Sequence, residues 1–171
     1  SLQLAASPML LAGAAGVGLG GLAARLRRLY PAQPLWSVET ASRFRFHDGH
    51  CVDMDAADAA HRRTLLELLQ HGDAFPATVV WVSGNARGST EADARRFVAL
   101  AQLLVGALGA RALRLVYVGT PSADDGRCFH AAMGGLLKSL HLEAPRVSAA
   151  LLELDAATVD DPVRRADAVA T

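Results

Sequence analysis

The stretch PMLLAGAAGVGLGGLAARLRR, residues 8–28, decides the fold: a short apolar run, then glycines at 13, 16, 18, 20 and 21, then an amphipathic helical pattern. An apolar run of strand length, a glycine turn and a helix together make the opening of a βα unit whose strand is buried on both faces. Gly16, Gly18 and Gly21 keep the G-x-G-x-x-G spacing, and Gly13, Gly16 and Gly18 keep a looser version of it. Glycines in such a turn allow close backbone approach, and the helix N-terminus behind it attracts a pyrophosphate. Glu39 ends the second apolar run about twenty residues on, where an acidic residue bonds a ribose hydroxyl in dinucleotide-binding folds. Glycine here also permits close packing of helix on strand, and small-residue-rich sequence produces the spacing often. On the motif alone, both readings stand.

Outward from this stretch the pattern repeats. Apolar runs at 8–12, 34–38, 77–83, 112–119 and 147–154 read as buried strands. Between them, helical spacing over 18–29, 56–71, 90–107 and 129–143 places apolar residues three and four apart, as in Leu65, Leu66, Leu68 and Leu69. Strict alternation of strand and helix implies right-handed crossovers and a parallel sheet: an α/β, Rossmann-like, doubly wound domain with the strand at 8–12 central. Asp55 or Asp58 caps the second helix, Ser89 or Thr90 the third, and the glycines of HGD (71–73) and LGA (108–110) mark helix ends. Residues 40–54 read as a loop with a short strand near 50–54, a β-ribbon turning at HDGH. A last short helix is expected near DDPVRRADAV, capped by Asp160 or Asp161 with Pro162 in its first turn.

The 171 residues suit a single domain spanning 1–171, and both ends resemble cut edges of something longer. Seventeen Lys plus Arg balance seventeen Asp plus Glu, so no net field draws the chain to nucleic acid or to an anionic membrane. Cys51 and Cys128 sit in unrelated contexts without a metal-ligand repeat, which fits a reducing cytoplasm. The apolar run at 8–24 is glycine-rich and short for a bilayer span, and no basic segment precedes it.

A hydride-transfer site of the short-chain reductase type needs a tyrosine acid, a nearby lysine to lower its pKa and a serine for the carbonyl. The chain has only Tyr30 and Tyr117, neither with a lysine at that spacing, and Phe129 or His130 stands where such a tyrosine would begin its helix. No catalytic residue is therefore assigned. His47, His50, Cys51, Asp53 and Asp55 are metal-ligand types, but their spacing matches no tetrahedral site, and no metal is expected. His130 and His141 share a helical face, three turns apart, too far for a proton relay. The arginines of RLRR and HRR read as solvated helix faces, and Ser83 and Ser89 lack a nucleophile elbow.

The segment CFHAAMGGLLKSLHLEAPRVSAALLELD, residues 128–155, resembles the ketoreductase region of modular polyketide synthases. Gly135, Leu136, Lys138, Ser139, Leu140, Glu143, Pro145 and Asp155 stand at the positions of that family's G-[LF]-x-[RK]-[ST]-L-x-x-E-x-P pattern and strand-ending aspartate. CVDMDAADAAHRRTLLELL and TVVWVSG are similar to two earlier segments of the same family, in the same order. The resemblance implies the truncated structural half of a ketoreductase, or a pseudo-ketoreductase, that binds no cofactor and buttresses its neighbours. Implied partners are a catalytic ketoreductase half, a dehydratase or methyltransferase domain, and an acyl carrier protein. The alternative is an NADPH-dependent reductase of β-ketoacyl thioesters, with Gly13, Gly16, Gly18 and Glu39 at the cofactor and His130 as the acid.

Overall fold

A computed structural model describes residues 7–14, 16–47, 50–84, 90–119, 123–154, 164 and 167–168, with backbone alone at 90 and 123–129. Its elements run β1 (Met9–Gly13), α1 (Leu19–Leu29), β2 (Leu35–Thr40), β3 (Arg45–His47), β4 (Cys51–Met54), α2 (Ala59–His71), β5 (Thr78–Val82), α3 (Thr90–Gly106), β6 (Leu113–Gly119), α4 (Ala123–Glu143) and β7 (Val147–Glu153). The sheet order is β3-β4-β2-β1-β5-β6-β7, so β1 holds the middle place its sequence implied. Every pairing is parallel except β3 with β4. That pair is the expected ribbon, with Arg45 opposite Asp53 and His47 opposite Cys51, while its turn at 48–49 lies outside the described residues.

Each central strand feeds two cores, because successive side chains point to opposite faces. Leu10 and Ala12 of β1 join the core under α2, α3 and α4, whereas Met9 and Leu11 join the core under α1. Helix stripes complete both layers: Leu19, Leu22, Ala23 and Leu26 from α1, Leu65 and Leu69 from α2, Phe97, Leu100, Ala101 and Leu104 from α3, Met133 and Leu137 from α4. The connection from β2 to β4 carries the β3 ribbon and no helix. Consequently α1 shares its face with residues near the end of the described chain: Ala168 packs on that core and Asp167 pairs with Arg25 at 3.2 Å.

Some boundaries differ from the sequence reading. Helix α4 starts at Ala123, six residues before the expected 129, and α2 starts at Ala59 because Asp58 is its cap, accepting from the amides of Ala60 and His61. Asp55 caps only the preceding turn, at the Ala57 amide. Thr90 is already helical, so it is not the cap of α3. Ser89, Asp155, Asp160, Asp161 and Pro162 lie outside the described residues.

The end of α2 is an instructive difference. Gly72 has φ −86°, an ordinary value, and the left-handed turn falls on Asp73 at φ 48°. The Ala74 amide reaches back to the Leu69 carbonyl at 2.9 Å, the long bond of a Schellman ending. We expect Asp73→Gly to stabilise the fold by about 0.5–1 kcal/mol by removing the Cβ penalty. Gly72→Ala should also stabilise it, by about 0.4–1 kcal/mol, since its new methyl meets only ordinary contacts at 3.5 Å and beyond. Urea unfolding of the two variants checks both; a loss of stability in either contradicts this assignment of the turn.

Candidate functional site

The carboxyl ends of β1, β2, β5 and β6 meet at one rim, where an open α/β sheet takes its ligands. Three of the glycine-loop candidates and Glu39 gather there. Gly13 stands in register with Glu39 across the β1–β2 ladder, and Thr40 donates its hydroxyl to the Gly13 carbonyl at 2.7 Å. A Cβ on Gly13 would lie 3.0 Å from the Leu19 side chain and 3.1 Å from the Val82 carbonyl oxygen. This glycine is a packing device. Gly16 and Gly18 are not: their φ values are +77° and +67°, and a Cβ on either meets nothing within 4 Å. They serve the left-handed turns that bring the chain into α1. Gly18 caps α1 without a side-chain bond, and the first turn carries no acidic residue, so nothing on α1 itself compensates the positive end of its dipole.

A second group lies beside it, at the ends of β5 and β6. Trp81, Phe97, Tyr117 and His130 form an edge-to-face chain with ring centroids 6.0, 5.2 and 6.2 Å apart in succession. Tyr117 is fully buried, and burial pushes its hydroxyl up to about 12, with Asp93 adding to the rise and Ser83 offsetting part of it. That is the reverse of what a tyrosine acid needs, a nearby cation that lowers its pKa. The only lysine of the chain, Lys138, is exposed on α4.

Asp93 is 2% exposed, accepts from the Gly84 amide at 3.4 Å and faces Arg96 at 3.6 Å. Arg96 in turn binds Asp55 at 2.9 Å, tying α3 to the start of the α2 segment. Asp93 is an acidic residue in the first turn of α3 that the sequence analysis did not single out. The signal that marks it as buried is its spacing: Asp93, Phe97, Leu100 and Leu104 share one buried stripe of α3.

His130 is 5% exposed, and its Nδ1 is buried without a hydrogen bond, 3.8 Å from a Glu153 oxygen. Burial lowers its pKa and the Glu153 carboxylate partly opposes this, so the ring is neutral near pH 7. Its other edge presses on Gly119: a Cβ there would overlap Nε2 and Cε1 of His130 and come within 3.0 Å of the Ser83 hydroxyl. Glycine at the end of β6 is thus what lets the imidazole seat itself, a requirement the strand pattern did not reveal. His130 and His141, read as independent, line one groove of about 900 Å³ between α4 and β7, with Gly134, Lys138, Ala149, Leu151 and Glu153.

The metal-ligand types in the ribbon are dispersed. His47 pairs with Asp53 at 2.8 Å, His50 stacks on Trp36 at 4.7 Å between centroids, and the Cys51 sulfur accepts from Ser37 at 3.1 Å. Among the described residues no three His, Cys, Asp or Glu side chains converge on a point that could hold a metal. The arginines are more engaged than a solvated face requires. Arg62 donates to the carbonyls of Ala56 and Ala57 at 2.8 Å each, and Arg27 reaches the Leu35 carbonyl at 3.4 Å. No described helix is long and apolar enough to cross a membrane.

No family model and no curated protein matches the chain. Solved structures do. An N-terminal ketoreductase from the macrolactin assembly line superimposes with a TM-score of 0.75 at 13% identity, covering 97% of this chain and 36% of its own. An adenylation, ketoreductase and pseudo-Asub multidomain structure of a keto acid-selecting nonribosomal peptide synthetase module gives 0.71 at 11%, covering 95% of this chain and 15% of its own. A putative short-chain dehydrogenase/reductase from Aeromonas hydrophila gives 0.63 at 17% identity, covering 95% and 89%. The chain thus has a Rossmann-like fold similar to those of a short-chain dehydrogenase/reductase and of assembly-line ketoreductases. It spans about a third of the first of these chains and 15% of the second.

The seat of His130 yields two expectations. Gly119→Ala should cost about 1–3 kcal/mol through overpacking, and the cost should shrink when His130→Ala is added, as a double-mutant cycle measures. Strict additivity would place the strain elsewhere. Because folding depresses the pKa of His130, the unfolded chain binds the proton first. Stability is then fully present above the unfolded value of 6.5 and falls as pH drops below it. His130→Gln should flatten that acid slope in chemical denaturation between about pH 7 and 5.

Proposed function

We propose that this chain is a noncatalytic structural domain of a polyketide synthase ketoreductase region, acting in the cytoplasm to support adjoining catalytic domains. The observation that carries this reading is the environment of Tyr117 and His130. Where a reductase of this fold class would present a proton donor, these residues bury a tyrosine raised to about 12 and a histidine kept neutral. Among the described residues, no cation sits beside either group to draw its proton toward a substrate carbonyl. The fold likeness to assembly-line ketoreductases, together with the residues at 128–155, supplies the setting. In that setting the partners are a catalytic ketoreductase half, a dehydratase or methyltransferase domain, and an acyl carrier protein. No cofactor is required.

A second reading rests on a different observation. Gly16 and Gly18 face open space at an uncapped helix start, with Glu39 in register beside Gly13. This arrangement suits an NADPH-dependent reductase of β-ketoacyl thioesters with His130 as the acid. Glu39 at the end of β2 would then face the adenosine ribose, and the α1 amides the pyrophosphate. The cofactor would supply the hydride.

Two measurements separate these readings. A site with a dissociation constant of about 10 μM, saturated at about 1 mM ligand, adds roughly 2.7 kcal/mol and raises the melting midpoint by several degrees. The structural reading expects no shift beyond error with NADPH or NADH, and no cofactor oxidation with a β-ketoacyl thioester. A shift of several degrees that Gly18→Val abolishes, together with turnover lost in His130→Ala, establishes the reductase instead.

A further inference from the structure

The groove between α4 and β7 has two walls of different make. Ala149, Leu151 and Glu153, alternate residues of β7, face α4. Opposite them α4 sets Ala131, Gly134 and Gly135, so the space of about 900 Å³ exists because the helix brings little side chain to it. Close packing does not demand these glycines. A Cβ on Gly134 would come no nearer than 3.7 Å to the Leu151 side chain, and one on Gly135 meets nothing within 4 Å. Neither has a positive φ, and glycine is the poorest helix former after proline. Among the described residues, those that follow β7 turn to the other layer: Leu154 and Ala168 pack on the core under α1.

The two ends of the groove differ in charge. Where β7 ends, the groove is lined by His130, 5% exposed, whose Nδ1 is buried without a hydrogen bond, 3.8 Å from a Glu153 oxygen. That separation is too long for a direct bond and suits a third atom set about 2.9 Å from both. With the ring neutral, Nδ1 offers a lone pair in one tautomer and the carboxylate offers several, so a group that bridges them has to donate twice. An ammonium does this; a hydroxyl has one proton to give. Where β7 starts, the sign reverses. His141 Nδ1 donates to the Val147 carbonyl at 2.7 Å, and Lys138, one helical turn before it, brings an ammonium to the groove. Lys138 stands eight residues beyond His130, about 12 Å along the helix. Between these ends Leu137 and Leu151 supply an apolar stretch.

We propose that this groove is a binding site for a linear ω-amino acid, a medium-chain carboxylic acid with a primary amine at its far end. The ammonium bridges Glu153 and His130 Nδ1, the carboxylate meets Lys138, and the methylenes run over the backbone of Gly134 and Gly135 against Leu137 and Leu151. A concave site of this volume, apolar along its length with a few polar groups that fix orientation, has the make-up of small-molecule sites in general. Two strands, β5 and β6, separate β7 from β1, and the turn at Gly16 and Gly18 leads into α1 on the opposite layer. The proposal therefore rests on neither functional reading, and its test uses neither NADPH nor turnover.

Isothermal titration calorimetry of the 171-residue chain with ω-aminooctanoate, octanoate and octylamine tests it. ω-Aminooctanoate should bind saturably, one per chain, about fivefold or more tighter than either single-ended compound. Glu153→Gln should remove its advantage over octanoate, and Lys138→Gln its advantage over octylamine, because each change deletes one end alone. Gly135→Leu fills open space in the groove with a better helix former and should abolish binding with an unchanged circular dichroism spectrum. Gly134→Leu repeats that test from the adjacent position, should the first variant fail to fold. No saturable heat up to about 10 mM overturns the proposal. So does binding that is indifferent to Glu153→Gln and Lys138→Gln, or that survives leucine in the groove, since either result places the ligand elsewhere.

Discussion

The rest of the structure depends on β1 being flanked on both sides. Its five residues are all buried, its amides and carbonyls are committed to β2 and β5, and its side chains feed both cores. A parallel strand of this kind has no face to turn to water, so helices must cover both sides of it. The crossovers follow from that need, and so does the rim where Gly13, Glu39 and Gly119 come together, because parallel strands deliver all their carboxyl ends to one side.

At that rim the chain has spent its space on packing. The aromatic row from Trp81 to His130 occupies the ends of β5 and β6, and Gly119 is small so that the imidazole can lie against it. Asp93 and Arg96 hold α3 to this row and to Asp55. Burial of Tyr117 and His130 favours their neutral forms and disfavours any role that requires charge to develop on them. By contrast, the turn at Gly16 and Gly18 is open. The rim therefore has a closed half and an open half, and the two functional readings correspond to giving weight to one or the other.

The fold was legible because its signals were redundant. Apolar runs at 8–12, 77–83 and 112–119 were continuous enough to mark buried parallel strands, and helix stripes between them agreed. The site was less so, for reasons that lie in individual residues. Asp93 carries a charge, and only its place on the Phe97 stripe distinguishes a buried partner of Arg96 from a solvated first-turn acid. Asp73, not Gly72, takes the left-handed turn, and the local pattern does not separate the two positions. The close contact of Gly119 with His130 joins residues from different elements, which no local pattern encodes. The glycine loop mixed two roles that spacing alone cannot separate: contact at Gly13 and conformation at Gly16 and Gly18.

The missing helix between β2 and β4 has a consequence in time as well as space. Because α1 does not cover its face of the sheet unaided, that side is finished by residues far along the chain from it, and the Arg25–Asp167 contact spans 142 positions. At synthesis rates of about 5–20 residues per second, about 7–28 seconds separate the emergence of those two side chains. Until Ala168 is made, the α1 side of the sheet lacks one of the residues that pack on its core. The nascent chain thus has one face to shelter, and it is the face that neither α2, α3 nor α4 can reach.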